Sequence, residues 1–190
     1  MEATDILRHE HRAIESVLDS LDKAADAVKA GRQVPAWIFA DGIDFIRNFA
    51  DRCHHHKEEG RLFPKFAERG LSADSGPIAV MLIEHEQGRQ HVRDAAAQFG
   101  NWTKGDAAAG DIMANELKAY IRLLREHIYK EDNILYPMGD QHISKDDDHQ
   151  LVEEFDSVEE EEMGPGVHEK YHAMIDALEK AARALEQEPG

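Results

Sequence analysis

Four histidines and two glutamates stand at matched positions in two stretches of this chain. Glu10-His11 is echoed by Glu84-His85, and HxxxEExxLFP from His54 to Pro64 is echoed by HxxxEDxxLYP from His127 to Pro137. His11 precedes His54 by 43 positions and His85 precedes His127 by 42. Imidazole nitrogens and carboxylate oxygens in this combination make an N/O ligand set for divalent or trivalent cations, and the absence of ligating cysteine disfavours structural zinc. The alternative is a set of buried histidines and glutamates joined by mutual hydrogen bonds. It leaves two facing carboxylates in an apolar interior with their repulsion uncompensated, whereas a pair of cations removes both costs. His11, His54, Glu58, His85, His127 and Glu131 are therefore the expected metal ligands, with a carboxylate from each repeat bridging two metals.

Helices must position them. Apolar residues recur at helical spacing through Leu7, Ile14, Leu18, Leu21 and Ala25, through Phe39, Ile43, Ile46 and Ala50, through Met81, Leu82, Val92 and Phe99, and through Met113, Leu117, Tyr120 and Leu124. Two more candidate helices follow, around Leu151 to Met163 and from His168 to Leu185. Gly31 closes the first helix, Pro35 and Pro77 open the second and third, and Pro64 and Pro137 mark where the second and fourth end or kink. A loop around Gly100, Gly105 and Gly110 joins the third and fourth. The fold class expected is all-α: an up-and-down four-helix bundle over residues 1–140, with an acidic helical extension over 141–190 packed on it. The repeat makes this two helical hairpins about a pseudo-twofold axis, each helix pointing one histidine at a common centre.

A rotation of about 100° per residue sorts the remaining histidines. His54 lines up with Ile43, Ala50 and Glu58, while His55 lies a quarter-turn away and His56 nearly opposite. His9, His55, His56, His91, His142 and His149 are thus expected to be solvated or to support the ligands from behind, with His55 and Glu59 kept as the alternative pair should the phase slip by one. Gly88, one turn after His85, either permits close helix packing or leaves room for a small ligand. Tyr120 is core, or a donor of an electron or proton to the site.

The formal net charge of −17 opposes binding to nucleic acid or to an anionic membrane surface. Cys53 is the single cysteine, so no intramolecular disulfide forms, and it reads as core packing. No signal peptide or long apolar span is visible, which makes a cytoplasmic protein with no membrane partner the expectation. The acidic run after the fourth helix reads as a solvated face.

The EH, HxxxEExxLFP and HxxxEDxxLYP elements resemble the hemerythrin-like, or HHE cation-binding, family from roughly Thr4 to Met138. The resemblance implies a four-helix bundle with a non-haem centre of two iron ions, joined by an oxo or hydroxo group and two carboxylates. It also implies a small ligand such as O2, H2O2 or NO, since relatives bind oxygen, sense redox state, store iron or react with peroxide or nitric oxide. One departure stands out. Hemerythrin takes two histidines four residues apart from its third helix, but here His85 is followed at that spacing by Arg89. An aspartate of hemerythrin matches Asp132, whereas repeat symmetry and helix phase favour Glu131. A missing fifth histidine is sought in the last helix, where His168, Tyr171 and His172 lie on or near the apolar stripe and Tyr171, like Tyr120, is a candidate catalytic group. Three functions compete: a peroxidase-like oxidoreductase, a carrier or sensor without turnover, and an iron store or donor. The oligomeric state is left open.

Overall fold

A computed structural model describes residues 1–162 and 167–187. Among them the chain is helical throughout, with no strand. Helix α1 (Glu2–Lys29) ends at Gly31, whose φ of +70° is reached without strain only by a residue lacking Cβ. A second long helical path begins after Pro35 as α2 (Ala36–Phe45). It widens into π-type turns at Ile46–His55 and Glu58–Leu62 and finishes as α3 (Phe63–Glu68). Helix α4 (Gly76–Trp102) returns with Pro77 in its first turn, and α5 (Ala107–Lys130) runs into a third π turn, Glu131–Leu135, and then α6 (Tyr136–Gly139). These four paths form an up-and-down bundle in which α4 packs along α5, and α1 along α5 and α2.

The π turns explain how prolines sit inside two helical paths. Pro64 and Pro137 offer no N–H, and their rings crowd the carbonyl four residues back; a wide turn of the i→i+5 type ending just before each proline opens the space. The helices consequently run past both prolines, to Glu68 and Gly139.

The connection between α4 and α5 is shorter than the three glycines suggest. Gly100 and Gly110 are helical, and only Gly105, with φ of +94°, turns the chain. Asp106 caps α5 by accepting the Ala109 N–H at 3.2 Å. Gly110 serves packing instead: a Cβ there would lie 2.6 Å from Trp102 Cδ1.

Helices α7 (Lys145–Glu162) and α8 (Val167–Gln187) cover one flank, α7 against α1 and the π turns of the second path, α8 against α1 and α2. The acidic run is not wholly a solvated face. Asp148 accepts the backbone N–H groups of Glu2 and Ala3, both at 3.0 Å, and so caps α1. Asp147 is buried against Arg69.

The core divides into two apolar layers. One contains Leu18, Phe39, Phe45, Leu117 and Tyr171; the other contains Leu62, Phe66, Met81, Leu135 and Phe155. Between them lies a belt of buried polar side chains.

Candidate metal centre

The belt holds His11 from α1, His54, His55 and Glu58 from the second path, His85 from α4, and His127 and Glu131 from the fourth. All seven are buried. They form two groups able to hold a metal ion: His11, His54, Glu58 and Glu131, and His55, Glu58, His85 and His127, with the ligand atoms of each within 4.8 Å of one another. Glu58 belongs to both. Its Oε2 lies 3.7 Å from His54 Nε2 and 3.4 Å from His85 Nε2, while Glu131 Oε2 lies 3.3 Å from His11 Nε2 and 3.2 Å from His127 Nε2.

His55 is the residue the helical wheel misplaced. It is not solvated: His55 is buried and its ring stacks on His85 with centroids 3.9 Å apart, within a group able to hold a metal ion. A wheel with 3.6 residues per turn cannot represent the wide turns of Ile46–His55. His54 turns toward α1 and His55 toward α4, so adjacent residues serve different neighbours. His56 is exposed.

Among the described residues of the last helix, no imidazole joins the belt. His172 is exposed and in neither group, and the side chain of His168 lies outside the described residues. Tyr171 is buried in the apolar layer, edge-on to Phe45 and Phe49 with ring centroids 5.5 and 5.8 Å away. It caps the core rather than the polar belt.

The second acid of each EE or ED pair, and the glutamate of each EH pair, are used as well. His54 donates its Nδ1–H to Glu10 at 2.7 Å, and Lys57 also donates to Glu10. In the other repeat His127 donates to Glu84 at 3.0 Å, and Lys130 donates to the same carboxylate. Across the repeats, His11 Nδ1 donates to Asp132 at 2.8 Å and His85 Nδ1 to Glu59 at 2.7 Å, with Arg12 and Arg89 neutralising these acids. Each half thereby orients the other half's histidine, leaving its Nε2 to face the centre. Arg89, standing where a histidine was missed, is part of this outer ring.

Besides His55, whose counterpart is Ile128, the repeat breaks in its LFP and LYP elements. Phe63 of LFP stacks near His85, and Tyr136 of LYP stacks on His11 with planes 5° apart. Only the tyrosine carries a hydroxyl, and it donates to Glu58 Oε1. The Phe/Tyr difference between the motifs was the available sequence clue to this contact.

Electrostatics describe a nest of charge held in low dielectric. Burial alone would depress the His11 and His127 imidazoles. The hydrogen bond from His11 to Asp132 and the adjacent Glu131 carboxylate outweigh it and raise that group to about 9; the charge of Glu131 and the bond to Glu84 raise His127 to about 10. Burial would raise Glu10, but its bond to His54 and the Lys57 charge hold it down to about 2. His55 goes the other way: burial, then the neighbouring imidazoles, push it well below the usual range.

Despite these pairings, His11 Nε2, His55 Nδ1, Glu58 Oε2 and both carboxylate oxygens of Glu131 are buried without a hydrogen-bond partner. Such atoms are rare in folded proteins and costly unless something else satisfies them. The closeness of the His11, Glu58 and Glu131 atoms among them fits cations. If Glu131 reaches both groups, one position has two imidazoles and two carboxylates and the other has three imidazoles and two carboxylates. The second of these exceeds the four ligands of structural zinc and suits a metal of higher coordination.

Because Glu10 holds His54 from behind, Glu10→Gln is expected to weaken metal binding by about 10–100-fold, as loss of such outer carboxylates does. Competition with a coloured chelator measures this, and an unchanged affinity would remove Glu10 from the ligand-orienting set.

Among the described residues no helix is long and apolar enough to cross a membrane. The sequence model of the hemerythrin HHE cation binding domain matches residues 2–139. Uncharacterized proteins of Mycobacterium tuberculosis and Mycobacterium bovis are each 25% identical to this chain over 179 residues, covering 94% of it and 69% of their own length. The iron-sulfur cluster repair protein YtfE of Yersinia pseudotuberculosis is 36% identical over 87 residues, 44% of this chain and 39% of that protein. No solved structure matches the chain. With the family pattern extending over most of its length and a buried His/Glu cluster able to hold metal at its centre, this chain belongs to the hemerythrin HHE cation-binding family.

Proposed function

We propose that the belt holds two iron ions, one by His11 and His54 and the other by His55, His85 and His127, with Glu58 and Glu131 shared, and that the centre binds or reduces a small oxidant or diatomic ligand: O2, H2O2 or NO. The observation that carries this reading is the pair of buried ligand groups joined through Glu58, with partnerless nitrogen and oxygen atoms converging on their centre. Bound iron supplies Lewis acidity and electrons. The chain's own part is to fix the imidazoles through Glu10, Glu59, Glu84 and Asp132, to hold Glu58 through the Tyr136 hydroxyl, and to keep bulk water out of a belt closed by apolar layers on both sides.

A second reading, iron donation to an acceptor, is favoured by the similarity to an iron-sulfur cluster repair protein over part of the chain. Burial of all seven ligand residues works against it, since fast transfer requires ligands that an acceptor can reach.

Anaerobic metal analysis after iron loading, followed by absorbance changes on separate addition of oxygen, peroxide and nitric oxide, tests the proposal. Two irons per chain and a spectral response to at least one of the three are expected. Fewer than one iron per chain overturns it. Consumption of peroxide identifies an enzyme, a reversible oxygen spectrum a carrier, and iron loss to an apo acceptor a donor.

A further inference from the structure

A cavity of about 140 Å³ adjoins the belt at His55. Its wall includes Ile46, Gly88, Val92 and Tyr120, and Asp51 and Arg89 also line it. A water molecule occupies about 30 Å³ of liquid, so this space holds a handful of such molecules; sites for drug-sized ligands run to roughly 300–1,000 Å³. The outer groove formed by Arg52, His56 and Glu59 shares Asp51 and Arg89 with it, so the two adjoin. Arg89 donates to Asp51 and to Glu59, both at 2.8 Å, and thus stands where groove and cavity meet.

Two polar groups on this wall lack partners. The Tyr120 hydroxyl is buried and makes no hydrogen bond, and His55 Nδ1 is likewise partnerless, 3.4 Å from Asp51 Oδ1. A phenol in an apolar wall needs a partner, since buried hydroxyls are nearly always bonded. Gly88 sets the space: a Cβ there would come within 3.2 Å of Tyr120 Cε2, forcing the ring to shift. The hydroxyl is a donor in wait, because burial and the Asp51 charge keep its proton on.

We propose that this cavity is the access route and holding site for the small ligand of the centre, with the Tyr120 hydroxyl as its hydrogen-bond donor and Gly88 providing the room. The ligand class is a neutral or singly charged molecule of two or three heavy atoms that accepts a hydrogen bond. This rests on the reading of a ligand-binding metal centre and adds the face from which the ligand arrives: the three-histidine side, between the second path, α4 and α5.

Two measurements test it. Xenon pressurisation of metal-free crystals is expected to place xenon in the cavity, and Val92→Phe, which fills the space, to abolish that density. In iron-loaded protein, azide is the probe: Tyr120→Phe is expected to weaken its binding about 3–10-fold, to shift its stretching frequency and to remove the frequency's sensitivity to D2O. Gly88→Ala, a smaller change than Val92→Phe, should slow azide association. An azide band identical in wild type and Tyr120→Phe, azide that does not bind iron-loaded wild type, or xenon excluded from the wild-type cavity overturns the proposal. Failure to retain iron overturns the metal-centre reading instead, and xenon occupancy still decides whether the cavity admits small molecules.

Discussion

Glu58→Gln is expected to leave fewer than one metal ion per chain where the proposal gives the wild type two. Glu58 is the one residue common to both ligand groups, and its Oε2 is buried, partnerless and close to His54 and His85. Glutamine matches its size, and its side-chain carbonyl can still accept the Tyr136 hydroxyl, so the packing of the belt is preserved. What disappears is one of the two central negative charges. Two cations facing five imidazoles and a single central carboxylate would lack the charge that makes burial of metal favourable. The loss is read in two ways. Metal analysis gives the stoichiometry. Thermal melting gives the linkage: an ion present at about 1,000 times its dissociation constant stabilises the fold by roughly 4 kcal/mol, or about 8–16 °C in a domain of this size. In Glu58→Gln that metal-dependent rise should vanish, while metal-free variant and metal-free wild type melt within a few degrees of each other. A variant that keeps two ions would show that Glu58 does not join the sites.

His55→Ala is expected to release one ion and keep the other. The three-imidazole position loses a ligand, which should lower its affinity by more than the roughly 10–100-fold cost of losing an outer partner. The His11/His54 position keeps all its donors. His172→Ala, in contrast, should leave both ions in place, because that side chain is exposed and belongs to neither group. The two variants separate competing origins for the fifth imidazole: a residue adjacent to His54 in sequence, or one on the terminal helix. Equal metal content in wild type and His55→Ala would return the question to the terminal helix, where His168 is the remaining histidine near the stripe.

The duplicated motifs made the centre legible. Because HxxxE repeats with its flanking LFP or LYP, and each copy is paired with an EH dipeptide, the sequence alone selects His11, His54, Glu58, His85, His127 and Glu131 from twelve histidines and many acids. The structure brings these six into one buried belt. The four long helical paths were legible for a similar reason, since an amphipathic stripe is a local property written in i, i+3 and i+4 spacing. Asp132 and Glu59 were visible as partners of Glu131 and Glu58 in the motif, but their work of holding the other repeat's histidines was not. It depends on which helix faces which, across 121 and 26 positions.

What the sequence by itself determined, then, is an all-helical chain with two half-sites of matching chemistry. The tertiary structure decided how those halves close. His55 enters the belt because π turns enforced around Pro64 and along Ile46–His55 change the rotation per residue, and no wheel drawn at a uniform period contains that change. Asp148 caps α1 from 145 positions away, and Tyr171 packs on aromatic rings instead of meeting metal ligands, because α7 and α8 settle on the flank where α1 and α2 expose apolar surface. Helical periodicity is local, set by backbone hydrogen bonds a few residues apart. The partner that each face meets is set by packing between distant segments, and there the burial of His55 and the cavity beside it were decided.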